Sequence, residues 1–135
     1  MANLAAGPEK TKVWQPEVWQ IFPWVYSDMS EFVANLAEVF AAFGHITTRR
    51  MFGGHGIYHD GLMFGLVVNE QLYLKADAVS RQQFLDLALP PFSYQRHGKP
   101  TRLSYFLAPE DIFDDPDAAR HWAGLAFEAA LRGRK

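Results

Sequence analysis

The sequence contains no cysteine. That removes disulfides, thiolate metal centres and cysteine nucleophiles, and it fits a reducing cytoplasm, the compartment expected here. Long apolar runs are missing too. Nothing approaches the ~20 consecutive apolar residues of a membrane helix, so no membrane role is expected. Nor is there a block of like charge: 13 Lys+Arg stand against 15 Asp+Glu, for a net charge of −2. No polybasic run marks a nucleic-acid binder that works by bulk charge. Internal repeats and low-complexity tracts are also lacking. What is present is a chain of 135 residues with 49% hydrophobic and 15% aromatic residues. That suffices for one packed core and is too short for two ordinary domains.

The first 28 residues differ from the rest. Trp14, Trp19 and Trp24 recur every five positions, a spacing that keeps them on one face of neither a helix nor a strand. Pro16, Glu17 and Pro23 break any signal-peptide run. Residues 1–28 therefore read as an irregular extension, with Met29 an equally sensible start, or as an aromatic arm that docks on its own domain or a partner. The folded domain is expected over 29–135.

Within that domain the spacing predicts a helix over 29–43, with Asp28 and Glu31 at capping-box spacing and Gly44 at its end. Strands follow at Thr47–Phe52, His55–His59, Leu62–Val68 and Gln71–Lys75. The Asp60-Gly61 and Asn69-Glu70 turns join the last three. A helix is expected over 77–89, with Val79, Phe84, Leu85 and Ala88 apolar and Pro90-Pro91 stopping it. A second hairpin, Phe92–Arg96 and Thr101–Leu107, turns at His97-Gly98-Lys99-Pro100. A short helical turn at 109–112 precedes a last helix over 116–131, capped by Asp115 with Pro116 at its first position. Hairpin turns imply antiparallel pairing, and strands grouped between helices imply an α+β two-layer sandwich, with a sheet of five or six strands.

Catalytic signatures are weak. Gly53-Gly54-His55-Gly56 invites a phosphate-loop reading, but such loops open a helix, whereas these glycines run into a strand. They read instead as a backbone device that permits a bulge or close strand packing. His55 and His59 share a strand face but stand ~13 Å apart, too far for one ion. No metal or cofactor is expected. Ser80, Ser93 and Ser104 carry no local nucleophile signature. The acidic residues Glu110, Asp111, Asp114, Asp115 and Asp117 complement the dipole of the last helix. Arg49, Arg50, Arg96, Lys99 and Arg102 form a modest phosphate-binding face if the hairpins bring them together. Arg49 and Arg50 point to opposite faces, so only one serves it. Basic residues at hairpin ends also solubilise exposed edges.

The stretch Arg49-Arg50-Met51-Phe52-Gly53-Gly54-His55-Gly56-Ile57-Tyr58, followed by Asp60-Gly61 and Met63-Phe64-Gly65-Leu66-Val67, resembles the N-terminal domain of the TfoX/Sxy family. Leu72-Tyr73-Leu74-Lys75, Tyr94, Ser104-Tyr105-Phe106, Pro109-Glu110-Asp111 and Trp122-Ala123 continue the likeness, which spans roughly Met29 to Ala130. The resemblance implies a two-layer α+β fold. It also implies regulation of bacterial natural competence, in which family members help the cyclic-AMP receptor protein activate DNA-uptake genes. It carries over no catalytic residues. Full-length regulators have a second, C-terminal domain, and this chain reads as a single-domain version.

The leading expectation is thus a non-enzymatic regulatory protein-interaction domain, with the cyclic-AMP receptor protein or other transcription machinery as partner. Direct DNA binding is not expected of this domain alone, and a homodimer is compatible with open sheet edges. The expected binding surface comprises Arg49, Arg50, Gly53, Gly54, Gly56, Tyr58, Lys75 and Arg96. The alternative is a small-ligand protein or an enzyme of unknown activity, with a concave sheet lined by Tyr73, Tyr94, Arg96 and Tyr105 holding an anionic aromatic compound.

Overall fold

The turn at Asp60-Gly61 forms as its residues dictate. Asp60 and Gly61 adopt φ of 49° and 78°, the left-handed backbone of a type I′ hairpin turn whose twist matches that of its strands. It joins β2 (Gly54–His59) to β3 (Leu62–Val68). Asn69 and Glu70, at 53° and 58°, repeat the device between β3 and β4 (Gln71–Lys75). In the computed structural model, which describes residues 31–51, 53–96 and 99–134, these strands sit within a six-stranded sheet. β1 (Thr47–Met51) pairs with β2, and the hairpin of β5 (Pro91–Arg96) and β6 (Lys99–Leu107) joins through β6 to β4. The order is β1-β2-β3-β4-β6-β5, and every pairing is antiparallel.

Three α-helices accompany the sheet: α1 (Glu31–Val39), α2 (Arg81–Asp86) and α3 (Pro116–Arg132), with a 3-10 turn at Glu110–Phe113. The fold is α+β. Two units divide the chain, Met1–Ala34 and Asn35–Lys135, and the sheet belongs wholly to the second.

The register sorts the strand residues onto two faces. Ile57, Gly65, Leu74 and Phe106 oppose one another across β2, β3, β4 and β6, and this face meets the helices. Phe84 of α2 is fully buried between Phe106, stacked at 5.2 Å, and Trp122 of α3 at 5.0 Å. Phe40 and Phe43, just past α1, lie on Phe64 at 5.6 and 5.3 Å. Full burial of each such ring contributes about 2–3 kcal/mol. Ala119, Ala123 and Ala126 line the inner side of α3 and are fully buried; their small side chains let the helix lie close against β3 and β4. His59 belongs to this packing. Its Nδ1 donates to the His45 carbonyl at 2.7 Å, and its ring touches Phe43 and Phe127 at 4.6 and 4.9 Å.

The last helix has the caps the sequence predicts. The Asp115 carboxylate accepts from the Asp117 amide at 3.0 Å, Pro116 follows at the first turn, and Gly133 ends the helix.

The first two helices are shorter than their periodicity predicts. α1 ends at Val39, and the Gly44 amide closes the following turn on the Phe40 carbonyl at 2.9 Å. α2 covers six residues in place of 77–89. Upstream, one oxygen of Asp77 accepts from the amides of Val79 and Ser80, each at 3.1 Å, which ties 77–80 into a turn before the helix starts. Local side-chain acceptors of this kind compete with helical hydrogen bonds. Downstream, Ala88 turns left-handed at φ 57°. The Leu89 amide reaches back to the Phe84 carbonyl and the Ala88 amide to that of Leu85. Those two bonds close a Schellman motif, which ends the helix before the prolines are reached. Val79 and Leu85, two apolar residues of the expected helix, are 70% and 47% exposed, and Phe84 alone of the helix turns inward.

The N-terminal extension over 1–28, the Asp28 cap, Phe52, and His97 and Gly98 of the expected four-residue turn lie outside the described residues, while Lys99 and Pro100 of that turn already belong to β6. Among those described, no helix is long and apolar enough to cross a membrane.

Candidate functional site

The second face of the sheet carries the expected surface. Register places Arg49 opposite Gly56, Gly56 opposite Leu66, Leu66 opposite Tyr73, and Tyr73 opposite Leu107. Beside this row run Tyr58, opposite Met63, and Lys75, opposite Tyr105. Residues alternate along a strand, so all of these side chains lie away from the helices.

Gly56 gives this face its shape. A β-carbon there would come within 2.8 Å of the Met51 sulfur and about as close to Met63 and Tyr58, at 3.1 Å each. Its absence lets those three side chains converge over the strand, and beneath them Leu66 is 1% exposed. Gly54, two pairs along, is required for a second reason: a β-carbon there would run into the Val67 carbonyl oxygen. Gly53, at φ 74°, makes the turn from β1 into β2. The glycine run is therefore a strand-packing device, and β2 continues directly from it with no helix opening on its amides.

Two cations lie on two tyrosine rings. The Arg49 guanidinium is 5.6 Å from the Tyr58 ring centroid and the Lys75 ammonium 5.4 Å from that of Tyr105, both inside the range of cation–π attraction. Tyr105 is 7% exposed. Burial pushes its hydroxyl up to about 12, and the nearby Tyr58 adds to the shift. Tyr73 donates its hydroxyl to Gln71 at 3.1 Å and meets the Phe92 ring at 5.0 Å. Among the described residues, neither Arg49 nor Lys75 takes part in a salt bridge.

The expected surface is thus gathered only in part. Arg49, Gly54, Gly56, Tyr58 and Lys75 share the open face. Arg50, opposite His55, lies on the other. Arg96, opposite Lys99, is on β5, at the far edge of the sheet from β1. Five strand spacings of ~4.8 Å put ~24 Å between those edges. Met51, Met63 and Leu66 belong to the site and escaped sequence reasoning. The signal was the unbroken apolar run Leu62–Val68, because a strand buried on both faces does not alternate.

Elsewhere, Glu110, Asp111, Phe113 and Asp114 line a shallow concavity beside the 3-10 turn. No group of three or more metal-ligating side chains is gathered among the described residues. Asp77 accepts from Arg132 twice, at 2.6 and 3.0 Å. That hydrogen-bonded guanidinium holds the Asp77 carboxyl far below its usual range.

A family model described as the TfoX N-terminal domain matches residues 38–130. The match takes in the whole sheet, both faces and most of the helical layer. No curated protein matches the chain.

Proposed function

This chain belongs to the TfoX N-terminal domain family, and from that membership we propose that it is a non-enzymatic regulatory domain that works by binding another protein. The family is competence-related and is not a known enzyme family. On this reading the chain adjusts transcription of genes linked to natural competence and DNA uptake. Its partner is the cyclic-AMP receptor protein or another component of the transcription machinery. The observation that carries the reading is the family match over the entire sheet. The open face supports it, since a patch of methionine and tyrosine side chains with cations among them is the composition of a binding surface rather than of a solvated one.

Affinity capture with the intact chain tests the proposal, using lysate from bacteria grown under competence-inducing conditions. Direct titration against purified cyclic-AMP receptor protein and RNA polymerase accompanies it. Retention of either protein is the expected result. Recovery of the bait alone in the capture, with no binding in the titrations, overturns it.

A further inference from the structure

The near-neutral net charge conceals a division between the two layers. Six cationic residues, Arg49, Arg50, Lys75, Arg96, Lys99 and Arg102, lie on strands, and no aspartate or glutamate does. In the described chain the carboxylates sit in helices, hairpin turns and loops: Asp60 and Glu70 in turns, Asp77 before α2, and Glu110, Asp111, Asp114, Asp115 and Asp117 around the start of α3. The strands neighbouring Arg49 and Lys75 therefore offer them no carboxylate, and the open face they share adds the apolar patch over Gly56.

We infer that this open face is a docking surface for an acidic polypeptide segment, one that brings carboxylates to Arg49 and Lys75 and an apolar or aromatic side chain to the patch between them. The inference rests on the protein-binding reading above and names the partner's chemistry. Arg49 is on β1 and Lys75 on β4, three strand spacings apart, ~15 Å across the sheet. An extended chain covers that in about four or five residues, so the matching segment has two acidic positions at that separation. The tyrosines hold the cations in place beforehand, which lowers the entropy lost when a carboxylate arrives. Bare rings for base stacking are what single-stranded nucleic acid requires. Here the Tyr58 and Tyr105 rings already carry cations, and Tyr105 is buried. The chemistry favours carboxylates.

The test uses the purified intact chain and labelled probes: a random glutamate–tyrosine copolymer, polyglutamate, and a short mixed-sequence DNA oligonucleotide. Fluorescence anisotropy should show the copolymer binding more tightly than polyglutamate, and added salt should weaken it as screening grows. Arg49→Glu with Lys75→Glu should weaken the copolymer by at least about tenfold, because like charges then face the carboxylates. Arg81→Glu with Arg120→Glu, on the helical layer, should leave binding unchanged. Amide shifts in the wild-type chain should move in β1, β2 and β4 on titration, a readout that does not depend on how the variants fold. Copolymer binding that ignores the Arg49 and Lys75 reversal, shifts confined to other elements, no copolymer binding, or tighter binding of the oligonucleotide would each overturn the inference. The two readings fail separately. A transcription component still captured by the doubly reversed chain removes this docking face and leaves the protein-binding function standing. Loss of capture by the wild type removes the function itself.

Discussion

One sheet here has two faces, and their side chains are covered by different means. On the helix side, distant parts of the chain supply the cover: Phe84 from α2 and Trp122 from α3 close over Phe106. On the open side the strands cover themselves, with Met51, Met63 and Tyr58 leaning over Gly56 and Lys75 lying on Tyr105. Cover from another element binds the fold together, because losing it loosens that element. Cover from a neighbouring strand is local and leaves a surface that a partner can use. The two faces should therefore answer mutation differently.

The largest effect belongs to the helix side. Phe84→Ala removes the ring between α2, the sheet and α3, and should cost about 3–5 kcal/mol of unfolding free energy, read from urea titration. A loss below about 1 kcal/mol would show that α2 is an ornament on the sheet. The open side has one position of comparable severity, where the constraint is backbone and not side chain. Gly54→Ala drives a methyl into the Val67 carbonyl and should cost about 2–3 kcal/mol through displaced strands. The companion Gly53→Ala, with open space around it but a positive φ, should cost less.

Next comes the tie between the start of α2 and the end of α3. Asp77→Ala removes acceptors for the Val79 and Ser80 amides and the bidentate partner of Arg132. The two turn hydrogen bonds govern the expected loss of about 1–2 kcal/mol, since a partly exposed ion pair adds little. The carboxyl's proton affinity is lowered on folding, so its contribution is fully present above the unfolded value near 3.8 and fades as pH falls below it. Wild-type and Asp77→Ala stabilities should therefore converge in strong acid and stay parallel from pH 5 upward. A gap of constant size down to the lowest pH would remove the charge from the account.

How far the sequence reached depended on whether a signal was local. Asp60-Gly61, Asn69-Glu70 and the Asp115-Pro116 start of α3 are chemistry within a few residues, and each element they bound was legible. α2 was not, because its stop is a left-handed alanine where glycine is the usual residue, and its start is preempted by a carboxylate outside the helix. The open face was half legible. Adjacent Arg49 and Arg50 announce that one of them faces each way, but only the pairing with Gly56 and His55 says which. Alternation also fails as a guide through β3. The register shift between Ile57 and Tyr58 moves the count by one, and an all-apolar strand offers no polar residue to reveal it.

The left-handed alanine gives a prediction of opposite sign. Ala88→Gly should stabilise the chain by about 0.5–1 kcal/mol, since glycine takes a positive φ without the β-carbon clash while the Schellman bonds remain. A destabilised variant would mean that the gain in unfolded-state entropy outweighs the relief of strain.

The smallest expected effect marks the contrast most sharply. Arg49→Ala deletes the only cation on the open face of β1, together with its contact to Tyr58. An exposed cation–π pair contributes about 0.5–1 kcal/mol at most, and here it is offset by the side-chain entropy released when a long, solvent-facing guanidinium is removed. The melting temperature should therefore stay within measurement error of the wild type. A residue that the fold can lose so cheaply, held in place on an aromatic ring and, among the described residues, in no salt bridge, is not there for the fold. Should Arg49→Ala instead cost more than about 1 kcal/mol, the open face would be an integral part of the core, and the contrast between the two sides of the sheet would disappear.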